Sequence, residues 1–301
     1  EDIEIYPYQG EPVIGVDKKF LKDINFYNSN SIYPENNISV SEPMVMRDIE
    51  VGLITFIPFE YNIETKELIV YDDVNINVIE SGVRENIVTF PSKRSYLFEP
   101  LYQDLIVDYE PLSSREEYQP ASIMYICGGA SLSHPFVENL IEWRRLQGYI
   151  VYAVSTSEAG GSSASAIENY LEDVYDDWEN PPEIVGLIGD VNGSYNIQTH
   201  YYDGGAGDNE YQYIEGNDFL PEIYIGRISV SSSSDISNII NKTLVYEKAA
   251  DQEDYWYERA ALVGDPSSSG ISTITTNQYI ENVMQAYAFE DVNTNYGNGD
   301  Y

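Results

Sequence analysis

The chain has 301 residues, with 15 lysines and arginines against 51 aspartates and glutamates, which gives a formal charge of −36. A surface of this charge repels nucleic acid and anionic membranes, so neither is expected as a partner. One cysteine and two histidines argue against an intramolecular disulfide, a cysteine-based zinc site and a histidine-rich metal site. The sequence has no apolar run long enough to predict a membrane span.

Residues 1–83 have the pattern of a β-rich domain. Segments 47–62 and 66–81 alternate apolar and polar residues, and residues 62–66 between them have the composition of a turn. Prolines recur through the first 58 residues and argue against long helices. We therefore predict a small, antiparallel, β-sandwich-like domain.

Residues 84–120 have the composition of a linker. Prolines separate a sizeable share of the few basic residues in the chain, among them Arg84, Lys93, Arg94 and Arg115. An exposed arginine in such a segment is a candidate proteolytic site, and Arg115 lies just before the next predicted strand. The alternative is an ordinary connection between two domains.

Residues 121–301 alternate predicted strands with predicted helices. This order predicts an α/β domain with a mostly parallel sheet and helices on both faces. The predicted strands cover 122–129, 149–155, 183–190, 222–230 and 258–265, and the predicted helices cover 133–148, 162–178, 231–249 and 275–289.

An acidic region lies around the third of these strands. Asp190 ends that strand, where functional groups collect in open α/β sheets. The loop that returns to the next strand carries five further acids, and carboxylates on loops are the ligands that Ca²⁺ prefers. The alternative is that these acids only solvate a loop. The five are Asp208, Glu210, Glu215, Asp218 and Glu222.

Three motifs occur together in this half of the chain: GLIGD, GNDFLPEIYIGR and TLVYEK. With the helices and strands around them, they resemble the gingipain-type cysteine peptidases of peptidase family C25. Residues 32–78 resemble the β-rich propeptide of that family. The resemblance implies a caspase-like α/β architecture behind a propeptide, and a bacterial protein that is secreted or held at the cell surface.

The family's catalytic residues are a histidine in a Gly-His-Gly motif and a later cysteine, and neither motif occurs in these 301 residues. The resemblance therefore implies that residues 121–301 form the first, non-catalytic subdomain. A downstream subdomain or chain would be its partner and would supply the dyad that cleaves protein substrates. We expect Cys127 to be a buried apolar residue, His134 a helix cap and His200 a surface residue. A dyad of Cys127 with either histidine is the alternative.

The resemblance also implies structural Ca²⁺. Carried over by position, Asp190, Asp218 and Glu222 would bind it through carboxylates, and Glu215 and Leu220 through backbone carbonyls. The ion would hold the acidic loop against the sheet.

Taken together, these features predict part of a secreted cysteine endopeptidase. The same features leave two other functions open. One is a catalytically inactive family member that serves as an extracellular binding or structural module. The other is an export-associated signal peptidase or transpeptidase of the same family.

Overall fold

The computed structural model describes residues 5–10, 19–79, 93–202, 205–248, 256–265 and 271–296. Arg84, the first part of the predicted linker, and residue 249 at the end of a predicted helix lie outside these ranges. The chain divides into two compact units, one of residues 1–38, 56–76 and 251–301 and one of residues 39–55 and 77–250. None of the helices within the described ranges combines the length and apolar character that a membrane crossing needs.

The first unit contains an antiparallel sheet and a βαβ segment. The sheet has the order β1-β6-β7, with β1 (Ile32–Tyr33), β6 (Phe59–Asn62) and β7 (Glu67–Val70). A short helix, α1 (Ile24–Tyr27), precedes it. The βαβ segment is β14 (Arg259–Val263), α6 (Ser272–Ala286) and β15 (Asp291–Asn295), with its two strands parallel. The predicted antiparallel pairing is confirmed. The described strands before residue 80 fall into three small sheets.

The second unit is built on a four-stranded parallel sheet of order β13-β10-β8-β9. Its strands are β8 (Ser122–Cys127), β9 (Ile150–Ser155), β10 (Ile184–Ile188) and β13 (Tyr224–Ile228). Every residue of β8 is buried, as expected of a strand covered on both faces. The predicted parallel sheet is confirmed.

Three long helices cover this sheet. α3 (Pro135–Leu146) and α5 (Ser233–Glu247) pack on one face, in the core that contains Tyr125 and Ile188. α4 (Ala164–Asp177) packs on the other, in the core that contains Met124 and Leu187. Helices on both faces bury both sides of each central strand, because successive side chains point to opposite faces.

The helix starts follow from capping chemistry. Ser163 caps α4, with its hydroxyl accepting from the Ala166 N–H. Ser232 and Asp235 form a capping box at α5. His134 caps α3, and its Nδ1 accepts from the Phe136 N–H at 3.3 Å. The capping role predicted for His134 is therefore observed.

The remaining elements of the second unit are short. Helix α2 (Glu99–Leu105) lies inside the predicted linker. The strands β3 (Met44–Met46) and β4 (Ile49–Val51) form a hairpin. β2 (Ile38–Val40) and β5 (Ile54–Phe56) form a two-stranded sheet. β11 (His200–Tyr202) pairs antiparallel with β12 (Gly205–Gly207).

Candidate functional site

A tight loop packs over the carboxyl ends of β8 and β10. A Cβ on Gly128 would lie 2.3 Å from the Tyr195 carbonyl oxygen, and one on Gly189 would lie 2.1 Å from the same oxygen. Only glycine leaves room for that backbone, so the Gly-Gly and Gly-Asp sequences after these strands have a packing reason.

Asp190 lies in this loop at the end of β10. Its Oδ1 accepts from the Val191 N–H at 2.6 Å, and its Oδ2 accepts from the Ser229 hydroxyl at 2.6 Å. The Ser229 hydroxyl is the main cause of a lowered pKa at Asp190, and partial burial opposes it. The carboxylate is therefore ionised and holds the loop to the residue that follows β13.

Arg227 fixes the rest of the loop to the sheet. Its guanidinium binds Asp208 in a bidentate pair, Nε–Oδ2 at 2.7 Å and Nη2–Oδ1 at 2.8 Å. It also donates to the carbonyls of Gly189, Ile197 and Gln198 at 2.9–3.1 Å. Burial opposes ionisation of Asp208, but the pairing with Arg227 prevails and lowers the pKa of that carboxyl. The arginine of the IYIGR motif thus has a structural role.

The acids of the 215–222 segment lie at the opposite edge of the sheet. Glu222 is fully buried just before β13, and its Oε2 accepts from the N–H groups of Ile214 at 2.7 Å and Glu215 at 3.2 Å. Burial raises the pKa of Glu222 to about 7. Asp218 accepts from the Leu220 N–H at 2.8 Å and the Val45 N–H at 2.9 Å. The loop therefore folds around its own carboxylates.

Arg47, at the tip of the β3–β4 hairpin, is buried against this acidic loop. Its side chain is 1% exposed, and its backbone has a φ of 53°. The guanidinium donates to the carbonyls of Pro181, Pro182 and Glu222 and to the Gln119 side chain at 2.5–3.3 Å. The hairpin, which precedes the predicted linker, is therefore part of the α/β unit. No motif in the sequence signals this contact.

A second buried carboxylate follows Arg47 in the hairpin. Asp48 accepts from the Ser95 N–H at 2.5 Å and from the Tyr102 hydroxyl. Burial raises the pKa of Asp48, and these donors oppose the rise. Ser95 in turn donates to Glu183, which is fully buried at the start of β10. The hairpin tip is therefore bonded to the segment before α2 as well as to the acidic loop.

The structure brings together four of the five predicted calcium ligands. Glu215, Asp218, Leu220 and Glu222 share one loop, whereas Asp190 lies elsewhere. β10 and β13 are parallel and in register. Asp190 follows the carboxyl end of β10, whereas Glu222 precedes the amino end of β13, so the two residues are separated by the length of a strand, about 17 Å. Asp190 cannot join the other four in one cage.

The fit of the remaining four to Ca²⁺ is limited. The carboxylate oxygens of Asp218 and Glu222 are engaged by backbone N–H groups, including those of Val45 and Arg47 in the hairpin. Within the described ranges, no three His, Cys, Asp or Glu side chains are grouped so that they could hold a metal ion. The loop as it stands does not fit the ion.

Cys127 is placed as a core residue. It is fully buried, and burial raises the pKa of its thiol to about 12, so it is not a thiolate at neutral pH. His134 uses Nε2 to contact the Ser233 hydroxyl at 3.0 Å. His200 packs its ring on Tyr211, in the core on the other face of the sheet from Cys127. Neither arrangement resembles a nucleophile and its base.

Arg115 is exposed at the start of a single 3₁₀ turn, Arg115–Glu117. Its guanidinium carbon lies 4.6 Å from the centre of the Tyr96 ring. The residues on either side are held by hydrogen bonds: the Leu112 N–H donates to the Tyr118 hydroxyl at 3.0 Å, and the Gln119 N–H donates to the Arg94 carbonyl at 2.8 Å. An exposed turn between fixed segments is accessible to a peptidase.

Two family profiles match the chain in succession. The profile described as the C25 propeptide matches residues 1–113, and the profile described as peptidase family C25 matches residues 116–301. The two matches meet on either side of Ser114 and Arg115, within the predicted linker. The predicted resemblance is confirmed.

Individual relatives agree with these matches. Gingipain R1 and gingipain R2 of Porphyromonas gingivalis are each 26% identical to the chain over 88% of its length. A Lys-gingipain of the same organism is 26% identical over 82% of it. The chain spans only 27%, 37% and 14% of the lengths of these three relatives.

Solved structures are also similar. A crystal structure of the Arg-specific cysteine proteinase gingipain R is 24% identical, with a TM-score of 0.48, and the match covers 64% of this chain and 44% of that one. A complex of the pro- and mature domains of RgpB from P. gingivalis is 26% identical, with a TM-score of 0.48, over 58% of this chain and 42% of that one.

Proposed function

The chain belongs to peptidase family C25, and from this we propose that it is the propeptide and the first, non-catalytic part of a cysteine endopeptidase that cleaves proteins outside the cell. The observation that carries the proposal is the succession of a propeptide match and a peptidase match along one chain. The catalytic cysteine and histidine would lie in a downstream subdomain or chain, which is the partner of this α/β unit.

The chemistry of Cys127 supports a nucleophile outside these residues. A nucleophilic cysteine needs a low thiol pKa and an adjacent base. Cys127 instead has a raised pKa and packs in the core beneath α3 and α5. What these residues would contribute is the scaffold against which the catalytic part folds.

We place the processing site at Arg115. Cleavage of the bond between Arg115 and Glu116 would separate the propeptide match from the peptidase match at their junction. The propeptide would remain attached after cleavage, because the buried Arg47 hairpin holds it to the α/β unit. Release would require the hairpin tip to leave its site.

Labelling and mapping of the natural protein test this function. The protein is treated with a thiol-alkylating probe, once folded and once denatured, and its peptides are mapped by mass spectrometry. We expect the probe to label a downstream cysteine in the folded protein and Cys127 only after denaturation. A mature amino terminus at Glu116 is also expected, and it should disappear in Arg115→Gln but not in Lys93→Gln, which removes another exposed basic residue before Arg115.

Two outcomes of this experiment would count against the proposal. Loss of peptidase activity together with labelling of Cys127 in the folded protein would place the nucleophile in this chain. A protein with neither a reactive cysteine nor peptidase activity would instead favour a binding or structural module.

We further propose that calcium binding at the acidic loop depends on the hairpin. Asp218 Oδ2 accepts from the Val45 N–H and Glu222 Oε1 accepts from the Arg47 N–H, so these two oxygens would be free for Ca²⁺ only after the hairpin withdraws. The other oxygen of each carboxylate keeps its hydrogen bonds within the loop. The ligands would be Glu215, Asp218, Leu220 and Glu222.

Thermal unfolding in Ca²⁺ and in EDTA tests this dependence. We expect the same Tm in both for the intact chain. After cleavage at Arg115 and removal of the propeptide, Ca²⁺ should raise the Tm, and Asp218→Ala should abolish the increase. Asp173→Ala, which removes an exposed carboxylate of α4 that remains after the cleavage, should keep the increase. A Tm increase with Ca²⁺ in the intact chain would show that the hairpin does not block the loop.

A further inference from the structure

A cavity of about 430 Å³ lies between helix α2 and the segment that leads to Arg115. Aromatic and cyclic side chains make up much of its wall, and a glutamate from the first turn of α2 contributes a charge. Among the lining residues are Tyr96, Pro100, Pro111, Tyr118, Glu99 and Arg115. No step of the proposed peptidase function uses this cavity.

Glu99 is the buried charge of this cavity. It is 3% exposed, and its Oε1 accepts from the Tyr109 hydroxyl at 2.8 Å. That hydroxyl in turn accepts from Arg94 Nη1 at 3.0 Å. The other carboxylate oxygen, Oε2, is buried and accepts no hydrogen bond within the described part of the chain. The Tyr118 hydroxyl on the same wall is near enough to the carboxylate that Glu99, after burial, raises the pKa of Tyr118. A buried acceptor without a donor is destabilising, so the site favours a ligand that brings donors and positive charge.

The wall of the cavity already contacts such a group. The Arg115 guanidinium lies over the Tyr96 ring, with its carbon 4.6 Å from the ring centre. A cation at this distance is attracted by the π face, and a guanidinium also carries several donors on a planar frame. A buried carboxylate oxygen beside tyrosine rings is therefore complementary to one guanidinium group.

We propose that this cavity is a binding site for a single guanidinium, with Glu99 Oε2 as its acceptor and Tyr96 as its stacking partner. Two sources can supply the group. One is Arg115 itself, turning inward from its place on Tyr96, which would withdraw it from an attacking peptidase. The other is an arginine side chain of a second polypeptide.

Titration calorimetry with Nα-acetyl-arginine amide tests the site, because this probe carries one guanidinium and no other charge. Nα-acetyl-citrulline amide is the uncharged control of the same shape. We expect Arg115→Ala to bind the arginine probe in a saturable way and the citrulline probe at least tenfold more weakly. Adding Glu99→Gln should reduce binding of the arginine probe at least tenfold. Adding Glu110→Gln instead, which removes an exposed acid outside the cavity, should leave binding unchanged.

The unsubstituted chain distinguishes the two sources. Binding at least about tenfold weaker than in Arg115→Ala would identify Arg115 as the occupant. Equal binding would assign the site to an arginine of another molecule. Two results would overturn the proposal. One is that the Arg115→Ala variant binds the arginine and citrulline probes equally well. The other is that it binds the arginine probe equally well with and without Glu99. If Glu99→Gln lowers the Tm strongly, Tyr96→Leu is used in its place. Tyr96 is 50% exposed, so its replacement should not unfold the chain. The loss of the aromatic ring should weaken binding of the arginine probe several-fold.

Discussion

Replacing Arg47 with alanine should lower the free energy of unfolding of the α/β unit by about 3–5 kcal/mol. The guanidinium is buried and donates to three backbone carbonyls and one side-chain amide. It also lies over the rings of Phe98 and Tyr175. Its removal leaves these acceptors buried without donors and opens a cavity beneath the hairpin. Arg47→Lys should restore only part of the loss, because an ammonium has one nitrogen and cannot reach all four acceptors that the guanidinium contacts.

Asp108→Ala is the matched control for this substitution. Asp108 lies in the same unit as Arg47 and has a φ of 58°, close to the 53° of Arg47, but its side chain is exposed. Both substitutions place alanine in the left-handed region, so the backbone strain is the same. Urea unfolding is followed by the fluorescence of Trp143 and Trp178, with Trp256 replaced by phenylalanine. A loss below about 1 kcal/mol for Arg47→Ala, or a loss equal to that of Asp108→Ala, would show that the buried arginine does not anchor the hairpin.

The second large effect is expected at Arg227. Arg227→Ala should lower the free energy of unfolding at pH 7 by about 2–4 kcal/mol, because it removes a bidentate ion pair and three bonds to loop carbonyls. The matched control is Arg145→Ala, since Arg145 has an exposed contact with Glu142 at 3.9 Å. The control should cost less than about 1 kcal/mol.

The pH dependence separates the ion pair from simple packing. The folded-state pKa of Asp208 is lowered, so its contribution to stability is present above the ordinary carboxyl pKa and is lost as the pH falls through the folded value. The stability difference between Asp208→Asn and the unsubstituted chain should therefore shrink as the pH falls below about 4. A difference that stays constant from pH 7 to pH 3 would mean that Asp208 acts only through its shape.

Much of the fold was predictable from local patterns. The apolar run from Ile184 to Ile188 predicted a buried parallel strand, and the serine-rich starts of α4 and α5 predicted where those helices begin. These signals are local, since strand burial and helix capping depend on residues that are close in sequence. The β11–β12 hairpin was missed, because its polar, glycine-containing sequence has no alternating apolar pattern.

The candidate site was less predictable. Asp190 and Glu222 both border buried strands, and the sequence does not say which edge of the sheet each will occupy. Parallel pairing of β10 with β13 places them at opposite edges. Similarly, Asp208 and Glu222 have the same chemistry in the sequence. One pairs with Arg227 and has a lowered pKa, and the other is buried under backbone donors and has a raised one.

The sequence by itself determined the family, the order of strands and helices, the absence of the family's catalytic motifs from these residues, and the burial expected of Cys127. These follow from short motifs and from periodic apolar patterns. Only the tertiary structure decided that Arg47 enters the α/β unit, that Asp190 is separated from the acidic loop, and that Glu99 faces a cavity beside Arg115. Each of these depends on contacts between residues far apart in the chain, and a buried charge is specified by the partners that surround it and not by its neighbours in sequence.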